Sequence, residues 1–268
     1  MLKKAAAFLK KDFLMESSYR LAFLSNFFGI LVGILSYFFI NKLFAGQIAP
    51  HLAPFGVDYF SYVLLSTAFF GYVGVGLGSF SERIYAEQQQ GTLEAIILTP
   101  TRISTILLSL SLWNLVLATV DMFIYACLAV FLFNISFANI NILSAIVIFV
   151  LTILSFSALG IISSSFIVIF KRGNPLGWIL GSLEGLIGGV YFPVTVLPGW
   201  MQFLAKLFPI TYAINAIQLA VYRNYSVSQL SREILFLAAF SAVLLPLAVF
   251  IFKRGLDKSR RDGTLGQY

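Results

Sequence analysis

The chain is poor in charge, in cysteine and in histidine, and each shortage excludes a class of protein. Charged residues make up 11% of the 268 positions and hydrophobic residues 59%, whereas soluble domains have about 25% and roughly 45 to 50%. A single cysteine, Cys127, cannot form a disulfide within the chain or a cysteine metal cluster. The single histidine, His51, lies beside two prolines in an apparent loop, so no metal site is predicted. The composition indicates an integral membrane protein.

The sequence motifs of common enzymes are also missing. No Gly-rich phosphate loop ends in Lys-Ser or Lys-Thr, so we expect no ATP binding or hydrolysis by the chain itself. No Ser-His pairing, His-Glu-x-x-His sequence or carboxylate cluster offers a hydrolytic centre. We therefore predict that the chain is not an enzyme, and we assign it no catalytic, cofactor-binding or metal-binding residue.

Apolar stretches predict an all-α integral membrane fold with six transmembrane helices, because a bilayer crossing needs about 20 apolar residues. The predicted spans are residues 21–42, 59–80, 103–133, 141–170, 175–192 and 232–252. Residues 1–18 have lysines on one side of a helical projection and apolar side chains on another. That pattern is typical of a helix in the membrane interface, with a basic tail as the alternative. We expect one domain over residues 1–268.

The segment 191–224 is apolar but contains Pro193, Pro198 and Pro209. Proline breaks a continuous helix, so we expect a re-entrant helical hairpin rather than a crossing. Aromatic side chains are concentrated in the same segment, among them Phe192, Trp200 and Tyr212. We predict that these six residues form either an outer gate above a transport path or an anchor in the outer leaflet.

Basic residues predict the orientation of the chain. Fourteen lie on one side of the predicted spans, namely Lys3, Lys4, Lys10, Lys11, Arg20, Arg83, Arg102, Lys171, Arg172, Lys253, Arg254, Lys258, Arg260 and Arg261. Only Lys42, Lys206, Arg223 and Arg232 lie on the other side. Because cytoplasmic loops carry the excess of Lys and Arg, both termini should be cytoplasmic. The net charge of +7 is explained by this topology and by contact with anionic lipid, without nucleic-acid binding.

The predicted cytoplasmic segment 81–102, between spans two and three, contains a short motif. Its residues are Glu87, Gly91, Thr92, Leu93, Glu94 and Pro100. Gly91 can end one helix with a positive φ, and Thr92 can cap the next. The apolar residues after Thr92 would then give that helix a side that fits a groove on a partner. We predict a coupling segment, with a solvated turn as the alternative.

The motifs of both segments resemble those of type 2 ABC exporter permeases. In that family the loop after span two carries Glu, then Gly-Thr-Leu-Glu, then Pro, and the region before the last span carries three further motifs. This chain matches them with Phe192-Pro193, Leu197-Pro198-Gly199-Trp200 and Pro209-Ile210-Thr211-Tyr212. The resemblance covers essentially the whole chain, with the outer motifs nearer to the drug and lipid export branch than to the polysaccharide branch.

The resemblance implies a permease in the cytoplasmic membrane that dimerises and binds two copies of a separate ATPase. ATP and Mg would be bound by that partner, and the cargo would be an amphipathic drug-like, lipid or lipid-linked molecule. A polysaccharide or teichoic-acid exporter is the alternative within the family. From another class, an ion-coupled secondary transporter or channel would use Asp121 and Glu184 as ion sites, but no matching halves with interrupted helices are seen.

Two acidic residues lie inside predicted spans, Asp121 in the third and Glu184 in the fifth. An ionised carboxylate at the bilayer centre costs about 2.5 to 3.5 kcal/mol on insertion scales, so neither should face lipid. Glu184 shares a helical face with several glycines, which predicts close contact with another helix. A transport role and a structural role remain open for both, and Asn114 is a possible polar neighbour of Asp121.

Overall fold

The computed structural model describes residues 10, 13–14, 20–91, 103–137, 139–170 and 175–261. Within these ranges the chain forms helices joined by short connections, and no β-strand occurs. The helices are α1 (Arg20–Leu52), α2 (Tyr59–Gln89), α3 (Ile103–Phe133), α4 (Ile142–Phe170), α5 (Pro175–Ile187), a 3-10 helix (Val194–Val196), α6 (Gly199–Ala205), α7 (Pro209–Tyr222) and α8 (Ser231–Arg261). Of the predicted interfacial helix, Lys10, Phe13 and Leu14 are helical and the rest lies outside the described residues.

Five helices, α1 to α4 and α8, are long and apolar enough to cross a membrane. The bounds of α3 and α4 agree with the predicted spans to within one residue, but α1, α2 and α8 continue about ten residues beyond them. Hydropathy detects only the apolar part of a helix, whereas the backbone hydrogen bonds continue through polar turns. The all-α membrane fold is thus confirmed, with polar ends of α2 and α8 that hydropathy does not predict.

The fifth predicted span is shorter than expected. Helix α5 has 13 residues and ends at Ile187, whereas the apolar run predicted a span over 175–192. At 1.5 Å per residue this helix is about 20 Å long, less than the roughly 30 Å bilayer core. Gly189 has a φ of +92°, a conformation that glycine adopts easily, and the chain turns there.

The segment predicted to be a re-entrant hairpin forms α6 and α7, which meet at an angle of 89°, a bend found in re-entrant loops and in broken spans. Both ends of α7 lie near the first turn of α2. At the start of α7, Ile210 is adjacent to Gly188, and the carbonyl of the next residue, Gly189, accepts a hydrogen bond from the hydroxyl of Tyr62 in α2. At the end of α7, the hydroxyl of Tyr222 donates to the carbonyl of Ser61 in α2. Helix α7 therefore does not cross to the opposite end of the bundle. We call the end with the hairpin the hairpin end and the opposite end, where α2 and α8 finish, the basic end.

Helix α2 forms the centre of the fold. In its membrane segment 67% of residues are buried, compared with 11% in α1 and in α3. Several buried hydroxyls donate to a carbonyl of their own helix, as when Thr152 donates to the carbonyl of Ile148 and Ser155 to that of Leu151. Such bonds allow polar side chains inside an apolar bundle.

The backbones of α2 and α4 approach each other closely at Gly76 and Gly160. A Cβ atom on Gly160 would overlap the carbonyl oxygen of Gly76, and one on Gly76 would overlap the side chain of Phe156. Gly74 and Gly78, four residues apart in the sequence, predict a close-packing stripe on α2. That was wrong for this chain, because a Cβ on Gly74 would meet nothing within 4 Å and one on Gly78 would meet only Glu82 of the same helix.

Candidate functional site

The candidate coupling segment begins at the basic end of α2. Glu87 lies in the last turns of the helix and is 6% exposed, and Gly91 follows the helix with a φ of +69°. The predicted positive φ is therefore observed, but the helix that Gly91 follows is the long central α2 rather than a short separate one. Thr92, Leu93, Glu94 and Pro100 lie outside the described residues.

Each proline of the hairpin stands at the start of a helical element. Pro193 precedes the 3-10 helix, Pro198 precedes α6, and Pro209 is the first residue of α7. Proline is suited to these positions because its fixed φ matches the helix and its missing N–H has no helical acceptor there. These residues therefore determine where the hairpin turns.

The aromatic residues of the hairpin have different surroundings. Tyr212 stacks on Phe236 of α8, with ring centroids 3.8 Å apart and an angle of 16° between the planes. Trp200 is 66% exposed, and Phe192 is half-buried. Tyr212 thus joins α7 to α8, whereas Trp200 is available to lipid or to a second protomer.

Polar contacts also attach the hairpin segment to the end of α1 and to the loop between α1 and α2, and the sequence did not predict them. Nδ1 of His51 lies 3.0 Å from Oγ1 of Thr195, so His51 is a helix residue in contact with the hairpin and not a solvated loop residue. The Arg223 guanidinium donates to the carbonyls of Ala53 and Pro54. No sequence pattern identifies these pairs, because their members are more than 140 residues apart.

Asp121 has a polar partner on another helix. Its Oδ1 accepts a hydrogen bond of 2.7 Å from Nδ2 of Asn26 in α1. The expected neighbour Asn114 donates instead to the hydroxyl of Ser79 in α2, at 3.0 Å. Asn114 and Asp121 are seven residues apart and therefore lie on one face of α3. Each of them nevertheless bonds to a side chain of another helix, Asp121 to α1 and Asn114 to α2.

Glu184 is buried without a partner. The residue is 0% exposed, and neither carboxyl oxygen has a hydrogen-bond partner among the described residues. The glycines of its helix approach α2 as predicted: a Cβ on Gly185 would lie 3.4 Å from Phe70, and one on Gly181 would lie 4.0 Å from Leu77. Because the Glu184 carboxyl group has no hydrogen-bond partner among the described residues, it is not paired with Asp121.

We expect Glu184→Leu to raise the thermal stability of the purified chain and Glu184→Gln to leave it nearly unchanged. A buried polar group without a partner costs about 1 to 3 kcal/mol, and leucine removes that group at similar volume, whereas glutamine keeps it. Thermal unfolding midpoints of the two variants and of the native chain measure the effect. A lower midpoint for Glu184→Leu would show that the carboxyl group has a partner in the assembled protein.

Comparison with known families agrees with this architecture. Residues 6–222 match the ABC-2 type transporter membrane family, a range that includes α1 to α7, the Glu87–Gly91 turn and the hairpin. No curated protein matches the chain. Since the family match covers well over half of the chain and the structure supplies several membrane-spanning helices, the chain belongs to the ABC-2 type transporter family.

Proposed function

We propose that this chain is the transmembrane subunit of an ATP-driven exporter that moves an amphipathic drug-like, lipid or lipid-linked molecule. The observation that carries the proposal is the position of α2. This single helix of 31 residues runs from its hairpin contacts to the turn at Gly91. At the hairpin, Nε2 of Gln218 in α7 donates buried hydrogen bonds to the carbonyl of Tyr62 and to the hydroxyl of Ser66. A movement at its basic end would be transmitted to the hairpin because buried hydrogen bonds join the two.

The partners follow from the same arrangement. A separate ATPase would bind the segment that begins at Glu87, and two permease copies would bind two ATPases. The exposed basic residues Lys253, Arg254 and Lys258 near the end of α8 support a cytoplasmic position for this end, since cytoplasmic flanks of spans are rich in Lys and Arg. Both termini would then be cytoplasmic, and the membrane would be the cell's cytoplasmic membrane.

The unburied faces of α1 and α3 support a path at an interface between protomers. Only 11% of the residues in each membrane segment are buried within the single chain, so lipid or a second copy must cover the rest. An amphipathic cargo fits such a boundary, because it can move with its apolar part against these helices. The alternative within the family, export of a polysaccharide or a teichoic acid, is tested by the vesicle assay described next, with those molecules in place of the lipid.

The test uses vesicles that contain the purified permease, with and without the ATPase that co-purifies with it. We expect outward movement of a fluorescent lipid to require the ATPase and hydrolysable ATP, and to continue when ionophores collapse the ion gradients. Movement that needs no ATPase and stops with the ionophores would contradict the proposal. It would favour an ion-coupled transporter instead, with Asp121 and Glu184 as candidate ion sites.

A further inference from the structure

A polar cleft of about 380 Å³ lies at the hairpin end, between the ends of α1 and α3 and the start of α2. The residues that matter for its chemistry are Asn41, Asp58, Phe60, Ser61, Phe133 and Asn134. The apolar membrane segments of α1, α2 and α3 reach Leu43, Tyr59 and Phe133 at this end. The cleft therefore lies at the depth where the membrane meets water.

The cleft contains one carboxylate and one acceptor without a donor. Asp58 Oδ1 accepts from the backbone N–H of Ser61, and its Oδ2 accepts from Nδ2 of Asn41 at 3.2 Å. This bond fixes the Asn41 amide, since a carboxylate cannot donate to the amide oxygen. Oδ1 of Asn41 is consequently left buried without a hydrogen-bond partner among the described residues. That atom is buried, so the exposed Asp58 carboxylate is the acceptor that a cationic group with N–H donors can reach from the cleft.

Aromatic rings on the wall of this cleft also favour a cation. The rings of Phe38, Phe60 and Phe133 form a cluster with centroid separations of 4.6 to 5.7 Å. The ammonium group of Lys42 already lies 4.9 Å from the centroid of Phe38, within the range of a cation–π contact. Lys42 also provides a positive charge beside the cleft that can pair with a phosphate.

A second cleft, of about 230 Å³, lies next to the first and is almost wholly apolar. Its walls include Leu64, Leu65, Ala68, Tyr125, Ala126 and Val221. These residues belong to the next turns of α2 and α3 and to the last turn of α7, so the apolar cleft lies deeper in the membrane than the polar one. It is suited to an acyl chain.

We propose that the two clefts together bind one phospholipid with a primary amine headgroup, taken from the leaflet at the hairpin end. Its ammonium group donates to Asp58, its phosphate pairs with Lys42, and one acyl chain occupies the apolar cleft. A choline headgroup carries the same charge but has no N–H to donate, so the site discriminates against it. This site is independent of the proposed function, because it requires neither an ATPase nor transport.

The experiment measures lipid binding by native mass spectrometry of the delipidated full-length chain. Phosphatidylethanolamine and phosphatidylcholine with identical acyl chains are titrated separately. We expect the first bound phosphatidylethanolamine to have a dissociation constant about fivefold lower than that of phosphatidylcholine. The difference corresponds to about 1 kcal/mol for the additional hydrogen bond. Equal affinities would overturn the proposal. O-Phosphoethanolamine, the headgroup alone, should bind far more weakly, and an affinity equal to that of the lipid would show a site for soluble amines instead.

Two variants locate the effect. Asp58→Asn should abolish the preference for phosphatidylethanolamine without unfolding the chain, because asparagine also caps a helix N-terminus well. The matched control Asp257→Asn, at the basic end, should keep the preference. Ala126→Leu should fill the apolar cleft and weaken the binding of both lipids. If Asp58→Asn keeps the native preference, or Ala126→Leu binds both lipids normally, the assignment to these clefts is wrong.

Discussion

Export by the Gly91→Val variant is expected to fall at least about tenfold, while the chain remains folded and in the membrane. Gly91 has a φ of +69°, and a β-branched residue pays about 1 to 2 kcal/mol or more to adopt it. Each 1.4 kcal/mol corresponds to about a factor of ten in an equilibrium. ATP-driven export in vesicles with the ATPase, corrected for the amount of inserted permease, measures the loss.

The cause of this loss would be the backbone alone. A Cβ on Gly91 meets no atom of the described residues within 4 Å, so the expected effect of valine comes from the backbone conformation. It changes the direction in which the chain leaves α2, and hence the placement of the coupling residues that follow.

Gly91→Asn is the matched control, because asparagine adopts positive φ more readily than other side chains. It should export nearly as well as the native chain. Normal export and normal ATPase binding by Gly91→Val would exclude a coupling role for this turn.

The end of α2 also tests the orientation of the chain in the membrane. Gln89→Cys, in a Cys127→Ala background, should not react with an impermeant maleimide added outside intact cells.

The apolar helices could be predicted from the sequence because the bilayer imposes length and hydropathy on each crossing. The ends of α3 and α4 were predicted closely, because a polar residue, Asn134 or Lys171, directly follows each apolar run in the sequence. Asn134 also has a positive φ, which ends α3 in the structure. The polar ends of α2 and α8 were not, because a helix that leaves the membrane keeps its backbone bonds and loses only its hydropathy signal.

The site was predictable where it depends on local conformation and not where it depends on packing. Pro198, Pro209 and Gly91 act through their own φ angles, so their positions at helix starts and in a turn could be read from the sequence. The bond of Asn26 to Asp121 depends on which faces of two helices meet. One sequence does not specify that arrangement, and this is also why Gly74 was chosen over Gly76.

Gly160→Ala is expected to lower the stability of the chain strongly, although it adds only one methyl group. The added Cβ would overlap the carbonyl oxygen of Gly76 and lie 3.0 Å from that of Leu77. Both are backbone atoms of the central helix, so no side chain can rotate away and α2 and α4 must separate. Overpacking of a tight core typically costs about 1 to 3 kcal/mol, and a contact with rigid backbone should reach the upper end of that range.

Gly71→Ala provides the matched comparison for Gly160→Ala. It adds the same methyl group to a membrane helix, but at a position of α2 where a Cβ meets nothing within 4 Å. A loss of about 3 kcal/mol corresponds to a fall of roughly 6 to 12 °C in unfolding midpoint for a chain of this size. Thermal unfolding in detergent should therefore show a clearly lower midpoint for Gly160→Ala than for the native chain. The midpoint of Gly71→Ala should equal that of the native chain. Equal midpoints would mean that α2 and α4 separate at little cost, and that the Gly76–Gly160 contact does not hold the centre of the bundle together.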